Sequence, residues 1–377
     1  MTGAMHTAAQ SLLSAILALL PSPHLRDSLK ALLFLLLQGH GKARPQHSQT
    51  KSPSALSRFL NSYPWPTRAL IRLARQEAEK TLHLARRRRG PKPRLLVVLD
   101  LVTLEKQGTF PLLPLSFFHG KWGLHLVVLY LVYGDLRVPW VYRLWRGKGE
   151  KSLSLLALRL LAALPPWMRK AFRIRVVADA AFGTLCFLTG VQGMGLEAVV
   201  GMRRDRRTRE GQRLLNLRRQ GSKVYLRGLA FPVWVSWYRY PLPKGKWEWR
   251  YVVATFPASG RTVLLWGRRR FSIEHFFKAM KSEFSLGQFG QRTPLGVHRF
   301  LVLCFLAYLL AHWVRMEQEG EGLTWREAAR ESLRLLLPGL VAQAALGELH
   351  ALGLWHPPPD EVRGKAGLCR LCKRCKF

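Results

Sequence analysis

Apolar positions in this chain fall into blocks of two kinds. In residues 9–90 they have helical spacing and few β-branched side chains. The segments SLLSAILALL, LRDSLKALLFLLL, SALSRFLNSY and TRALIRLARQEAEKTLHLARRRR predict four helices. Ser52 before Pro53 supplies a cap and first-turn pair for the third, and Pro64 and Pro66 break the chain before the fourth. From residue 94 the pattern changes. RLLVVLDLV (94–102), HLVVLYLVY (125–133) and RVPWVYRLWR (137–146) are strand-like, the last two joined by a turn at Gly134-Asp135. SLSLLALRLLAAL (152–164) predicts an amphipathic helix stopped by Pro165-Pro166, and RIRVVADA (173–180) a buried strand. A helix and the strand EAVVGMR follow. Three strands, a helix and a buried strand imply an α/β core with a mixed sheet.

Residues 203–266 differ again. KVYLRGL, PVWVSWYRY, KWEWRYVVATF and RTVLLWG read as short strands rich in Trp, Tyr and Val, an all-β insertion. From residue 271 the chain is helical, through FSIEHFFKAMKSEF, VHRFLVLCFLAYLLAHWVRMEQ and 324–352. This divides the chain into a helical N-terminal domain (1–90) and a first part of the α/β core (91–202). A basic β-rich insertion (203–266), core helices (267–320) and a helical C-terminal region with a basic, Cys-containing tail (321–377) complete it.

Composition turns the fold outline toward a partner. Of 377 residues 48% are apolar, enough for a sizeable core and too many for wholesale disorder. Sixty Lys and Arg against 22 Asp and Glu give a net charge of +38, which repels itself and invites a polyanion, DNA first. The charge is densest in the middle of the chain. The run opened by Arg203, Arg204, Arg206 and Arg207 is expected to attract the DNA backbone without reading sequence. The apolar runs near residue 35 and at 301–314 are shorter than the ~20 residues of a bilayer span, and no basic residue precedes the first apolar stretch. The expectation is a cytoplasmic, nucleoid-associated protein without a membrane partner. Cys369, Cys372 and Cys375 form a C-x-x-C-x-x-C run without a second pair, so a basic tail is the plainer reading than a zinc site.

Because carboxylates are scarce, their positions are informative. Asp100 ends the run LLVVLD and Asp179 ends RVVAD. A carboxylate at the end of a buried strand costs several kcal/mol unless it is paired or bound to a cation. Singly, each would cap a turn or pair with an arginine; together, on strands lying side by side, they favour a shared divalent metal. On the helix SIEHFFKAMKSEF, Ile273, Phe276, Phe277 and Met280 form an apolar stripe, with Arg270, Glu274, Lys278 and Lys281 along its flank. Taken alone, that flank is an ordinary solvated ladder. With the two aspartates, Glu274 completes an oxygen set suited to two Mg²⁺ or Mn²⁺ ions and in-line phosphoryl displacement.

The order VVLDLV, VVADAAFG, a β-rich stretch and RRRFSIEHFFKAMKSEFSLGQFGQRT resembles the DDE transposases of bacterial insertion sequences, specifically insertion-sequence family four. The likeness covers residues 94–315. The family signature runs Tyr, two residues, Arg, three residues, Glu, six residues, Lys; Arg270, Glu274 and Lys281 fit it. The Tyr position falls on Gly267, with Trp266 beside it, which puts one DNA contact in doubt. The resemblance implies a ribonuclease H-like mixed sheet flanked by helices, with Asp100, Asp179 and Glu274 holding the metals. Arg270 and Lys281, with Lys278 beside them, would contact phosphates. It further implies a homodimer that binds double-stranded DNA at terminal inverted repeats, cleaves to a 3′-hydroxyl and joins that end to target DNA. A flipped base stacks on a Trp in this family, for which Trp234, Trp237, Trp247 and Trp249 are candidates, though for any one of them alone sheet core is the plainer reading. The alternatives are a structure-selective nuclease on the same core and an inactive DNA-binding derivative.

Overall fold

The computed structural model describes residues 7–86, 89–147, 149, 152–318 and 322–355. The Cys369, Cys372 and Cys375 tail lies outside these residues. Four helices come first: α1 (Thr7–Ala18), α2 (Pro23–Gln38), α3 (Pro53–Asn61) and α4 (Thr67–Leu84). The strands β1 (Arg94–Glu105), β2 (Ser116–Phe118), β3 (Lys121–Tyr133) and β4 (Leu136–Trp145) follow. Next come α5 (Leu153–Ala162), α6 (Pro166–Ala171), β5 (Arg173–Ala178), α7 (Leu185–Gly193) and β6 (Glu197–Met202). Then β7 (Ser222–Val224), β8 (Val233–Pro241) and β9 (Trp247–Ala254) lead into α8 (Gly260–Arg268) and α9 (Phe271–Ser282). The chain continues with α10 (Pro294–Glu317), α11 (Trp325–Leu336) and α12 (Pro338–Ala351).

Two compact units result, one formed by residues 75–279 and the other by 1–74 together with 280–377. The first is built on one sheet of order β2-β3-β1-β5-β6-β9-β8-β7, with β4 on the outer side of β3. β1, β5 and β6 run parallel, and β3, β4 and β9 run against their neighbours. Uninterrupted apolar runs place these central strands, since both faces must be covered: Leu95–Leu99 and Leu124–Leu131 are buried throughout. Helices flank the sheet, α5 lying over β3 and β4 and α8 over β5, β6, β8 and β9. This is the mixed α/β architecture of the ribonuclease H-like expectation.

The structure places the β-rich stretch of residues 203–266 and corrects one expectation within it. The β-rich stretch continues the core sheet, because β9 pairs along β6 from Met202↔Tyr251 to Val199↔Ala254. RTVLLWG, expected as a strand, is helix α8. The Ser259 hydroxyl caps it by accepting from the Thr262 N–H at 3.2 Å, and Val263 and Trp266, three apart, are its buried side chains. A cap and a period of three outweigh the strand-like composition.

The second unit is helical. Its centre is α10, 24 residues and apolar enough to cross a bilayer by length and composition alone, so the short run read from 301–314 understated it. That stretch is 83% buried, covered by the protein's own helices α1, α2, α3 and α11. Arg299 on α10 ties the sequence-distant halves of this unit together. It is 4% exposed and donates to the carbonyls of Phe59 (3.2 Å), Leu60 (3.1 Å) and Trp65 (3.4 Å) and to the Thr67 hydroxyl (3.2 Å). The end of α3 therefore finds its acceptors' partner in a residue more than 230 positions away.

Candidate active site

Strand register assembles the first two carboxylates. β1 and β5 pair in parallel up to Leu99↔Ala178, so the next residue on each, Asp100 and Asp179, stand abreast on adjacent strands. Asp100 is 7% exposed and Asp179 half-buried. The face of the sheet that carries Asp100 also carries its register partner Val128 and, two residues on, Tyr130. Phe276 of α9 stacks on Tyr130 with ring centres 4.6 Å apart. The apolar stripe of α9 thus seats the helix on the aspartate face, and the flanking stripe brings up Arg270 and Glu274.

Arg270 bridges two of the three carboxylates. Its Nη1 donates to Asp100 Oδ2 at 3.0 Å and its Nη2 to Glu274 Oε1. Asp100 Oδ1 accepts from the Leu101 N–H at 2.9 Å. Asp179 caps the short turn Ala180–Phe182, its Oδ1 accepting from the Ala181 N–H at 2.9 Å. Both plain roles foreseen for the aspartates, arginine pairing and capping, are realised, but neither compensates for burial. Desolvation, with the neighbouring Asp179 charge next, pushes the Asp100 carboxyl up to about 7 despite Arg270. Burial likewise raises Asp179, against Arg270 and the backbone donors of its turn. Burial alone would lower the Arg270 guanidinium, but Asp100, Glu274 and Asp179 more than offset it and raise it.

Among the described residues no group of three or more His, Cys, Asp or Glu is disposed to hold a metal, and the Arg270 fork joins Asp100 to Glu274. The donor chemistry nevertheless fits a hard divalent cation. All candidate ligands are carboxylate oxygens, and the two aspartates carry like charge, side by side, with more burial than their partners offset.

The surroundings are basic and aromatic. β6 runs parallel to β5, so the turn after it, with Arg203, Arg204, Arg206 and Arg207, leaves the sheet at the end where the aspartates stand. Arg204 and Arg207 are exposed, Arg203 pairs with Asp205 at 2.8 Å, and Arg206 is half-buried. β9 reaches β6 only from Tyr251 onward, so the outer half of the β8–β9 hairpin projects past that same end. Trp234 and Trp237 lie half-buried in the paired part, Trp237 tilted over Tyr251 at 5.8 Å. Trp247 and Trp249 lie in the projecting part, 57% and 48% exposed, with the Arg239 guanidinium 5.0 and 5.8 Å from their rings. Lys278 and Lys281 are exposed on α9. One contributor is nearly silent in the sequence. His119, at φ 48° in the β2–β3 turn, stands close enough to Asp179 to favour its ionised form electrostatically. Its only signal there is the His-Gly pair of a tight turn.

Residues 150–310 match the family model described as the transposase DDE domain. The match spans Asp179, Arg270 and Glu274 and begins after Asp100, whose place in the site comes from strand register. No curated protein matches the chain. Among solved structures, a piggyBac transposase in a synaptic complex with hairpin DNA, determined by cryo-EM, is similar over 100% of this chain and 89% of that chain. The TM-score is 0.50 and the sequence identity 11%, a likeness of fold.

Proposed function

We propose that this protein is a DNA transposase of the DDE type, resembling insertion-sequence family four, that cleaves DNA at terminal inverted repeats and transfers the resulting 3′-hydroxyl end to target DNA. The observation that carries the reading is the pair Asp100 and Asp179, abreast at the carboxyl end of parallel strands and linked through Arg270 to Glu274. In open α/β sheets that end is where ligands are met. Asp100, Asp179 and Glu274 would hold Mg²⁺ or Mn²⁺, which when bound activates a water or 3′-hydroxyl and stabilises the leaving oxygen. Arg270 supplies the counter-charge for the metal-free carboxylates; its planar fork equally suits a phosphate, the role the family likeness implies. Lys278, Lys281 and the Arg203–Arg207 turn position the backbone without reading bases. Synapsis of two ends would take a homodimer acting on double-stranded DNA.

The test uses DNA carrying the gene's own flanking ends, with Mg²⁺, and compares wild type with Asp179→Ala and Glu274→Gln. Expected are 3′-hydroxyl ends and joined product, reduced on the order of 10³-fold or more in each variant while DNA binding persists. Cleavage without joining would replace the transposase with a nuclease. Binding without metal-dependent chemistry would leave a DNA-binding derivative.

The exposed Trp247 and Trp249, with Arg239 against both rings, form a platform of the kind on which bases stack, at roughly 1–3 kcal/mol per base. A 2-aminopurine at the terminal position of the end DNA should be quenched by stacking in wild type, and Trp247→Ala with Trp249→Ala should restore its fluorescence. An unchanged signal would assign these rings no part in holding a base.

A further inference from the structure

At the opposite end of the same sheet the chain builds a second positive site. Residues entering β1 are basic: Arg86, Arg89, Lys92 and Arg94. The parallel register sets Arg94 directly beside Arg173, the first residue of β5. Like charges facing each other across a strand pair are unfavourable, so this juxtaposition costs stability. One carboxylate is near, Glu197 on β6, and it is already divided. Its Oε1 accepts from Arg173 Nε at 2.5 Å and its Oε2 from Arg175 Nε at 2.9 Å. Arg175, 3% exposed, is clamped between the rings of Phe256 (3.9 Å) and Trp266 (4.0 Å). Burial makes its proton harder to hold, and the charges of Arg94 and Arg173 act in the same direction.

The starts of β1 and β5, the loop before β6 and α6 border an open cavity of about 760 Å³ lined by Lys92, Arg94, Arg169, Arg173, Tyr133 and Glu197 among others. Among the described residues no carboxylate pairs with Lys92, Arg94 or Arg169; Arg169 reaches the Leu164 carbonyl at 3.5 Å. Three uncompensated cations thus converge on one cavity, in a protein whose charge already resists concentration. Six residues of strand, about 20 Å, separate Arg94 from Asp100.

We propose that this cavity binds the phosphodiester backbone of a second DNA segment, separate from the strand presented to the carboxylates. The proposal rests on the DNA-handling function above. Three cations without a carboxylate partner, spread over the entry to β1 and α6, exceed what one phosphate neutralises and match successive phosphates along a backbone. The aromatic rings nearest these cations are already engaged: Phe172 is buried and packs edge-to-face with the half-buried Tyr133 at 5.6 Å, and Arg94 lies 6.0 Å from the buried Trp266 ring. The interaction is therefore with the backbone, independent of sequence.

The test is the full chain carrying Lys92→Gln, Arg94→Gln and Arg169→Gln together. These side chains have no carboxylate to lose, and removing like charge should leave the melting temperature equal or higher, which checks folding. Binding of a long duplex of arbitrary sequence is followed against salt, beside cleavage of a short pre-bound end. Expected is a fall of about 2–3 in the log–log salt slope, near 0.9 for each phosphate no longer neutralised, with short-end cleavage retained. An unchanged slope overturns the proposal and leaves the transposase reading standing. Saturable binding of a nucleoside triphosphate, lost in the variant while the duplex slope is unchanged, would make this a small-phosphate site and also overturn it. A wild-type protein that binds no DNA would remove both readings together.

Discussion

Asp100 is the residue whose chemistry differs most from its sequence neighbours. Its folded carboxyl titrates near 7, against an ordinary value of 3.8, so the folded protein holds this proton more tightly than the unfolded chain. The sign follows: stability from this group is fully present below about pH 4 and is lost as pH rises to about 7. The loss is on the order of 4 kcal/mol for a shift of this size. In the absence of divalent metal, denaturant midpoints between pH 4 and 8 should fall with pH in wild type, and Asp100→Asn should flatten that fall. A parallel slope in the variant would show that Asp100 is not the group being titrated. Asp100 and Asp179 were legible because a charge terminating an apolar strand needs a reason. The Arg270 bridge was legible only as a spacing; that its fork joins Asp100 as well as Glu274 depends on how α9 sits on β3.

Among the elements, the loop after β5 depends on glycines with no distinguishing mark in the sequence. A Cβ on Gly201 of β6 would lie 2.7 Å from the Ala180 nitrogen, and one on Gly183 would lie 2.2 Å from the Gly201 carbonyl oxygen. The turn capped by Asp179 packs backbone to backbone on β6, and only glycine permits that approach. Gly201→Ala should destabilise the protein by about 1–3 kcal/mol and displace Asp179, lowering metal-dependent cleavage more than DNA binding. Equal melting temperature and activity would show that the loop yields without cost. Helix α8 marks the opposite limit. RTVLLWG has strand composition, and its helical state is set by the Ser259 cap and by the burial of Val263 and Trp266.

For the whole molecule, charge and topology separate cleanly. A net +38 requires counterions that a bound polyanion would release. DNA affinity should therefore fall roughly a thousandfold or more between about 50 and 200 mM monovalent salt, measured by anisotropy with duplex of any sequence. A shallow dependence would mean that few of these cations meet phosphate. The pairing of residues 1–74 with 280–377 into one helical unit was not legible as such. Each helix announces its own apolar face, but nothing local says that Arg299 will close the end of α3.

Local sequence was enough for the helices and strands of strong period, the polyanion-seeking charge and the odd placement of two aspartates. Those properties reside in single segments, where spacing and composition act over a few residues. Long-range packing settled that Asp100 and Asp179 stand level, that the β-rich stretch widens the core sheet and that Trp247 and Trp249 clear its edge. It also set Arg94 beside Arg173. Each of these is a matter of register between segments far apart in the chain, and register is chosen by which apolar faces can be buried together.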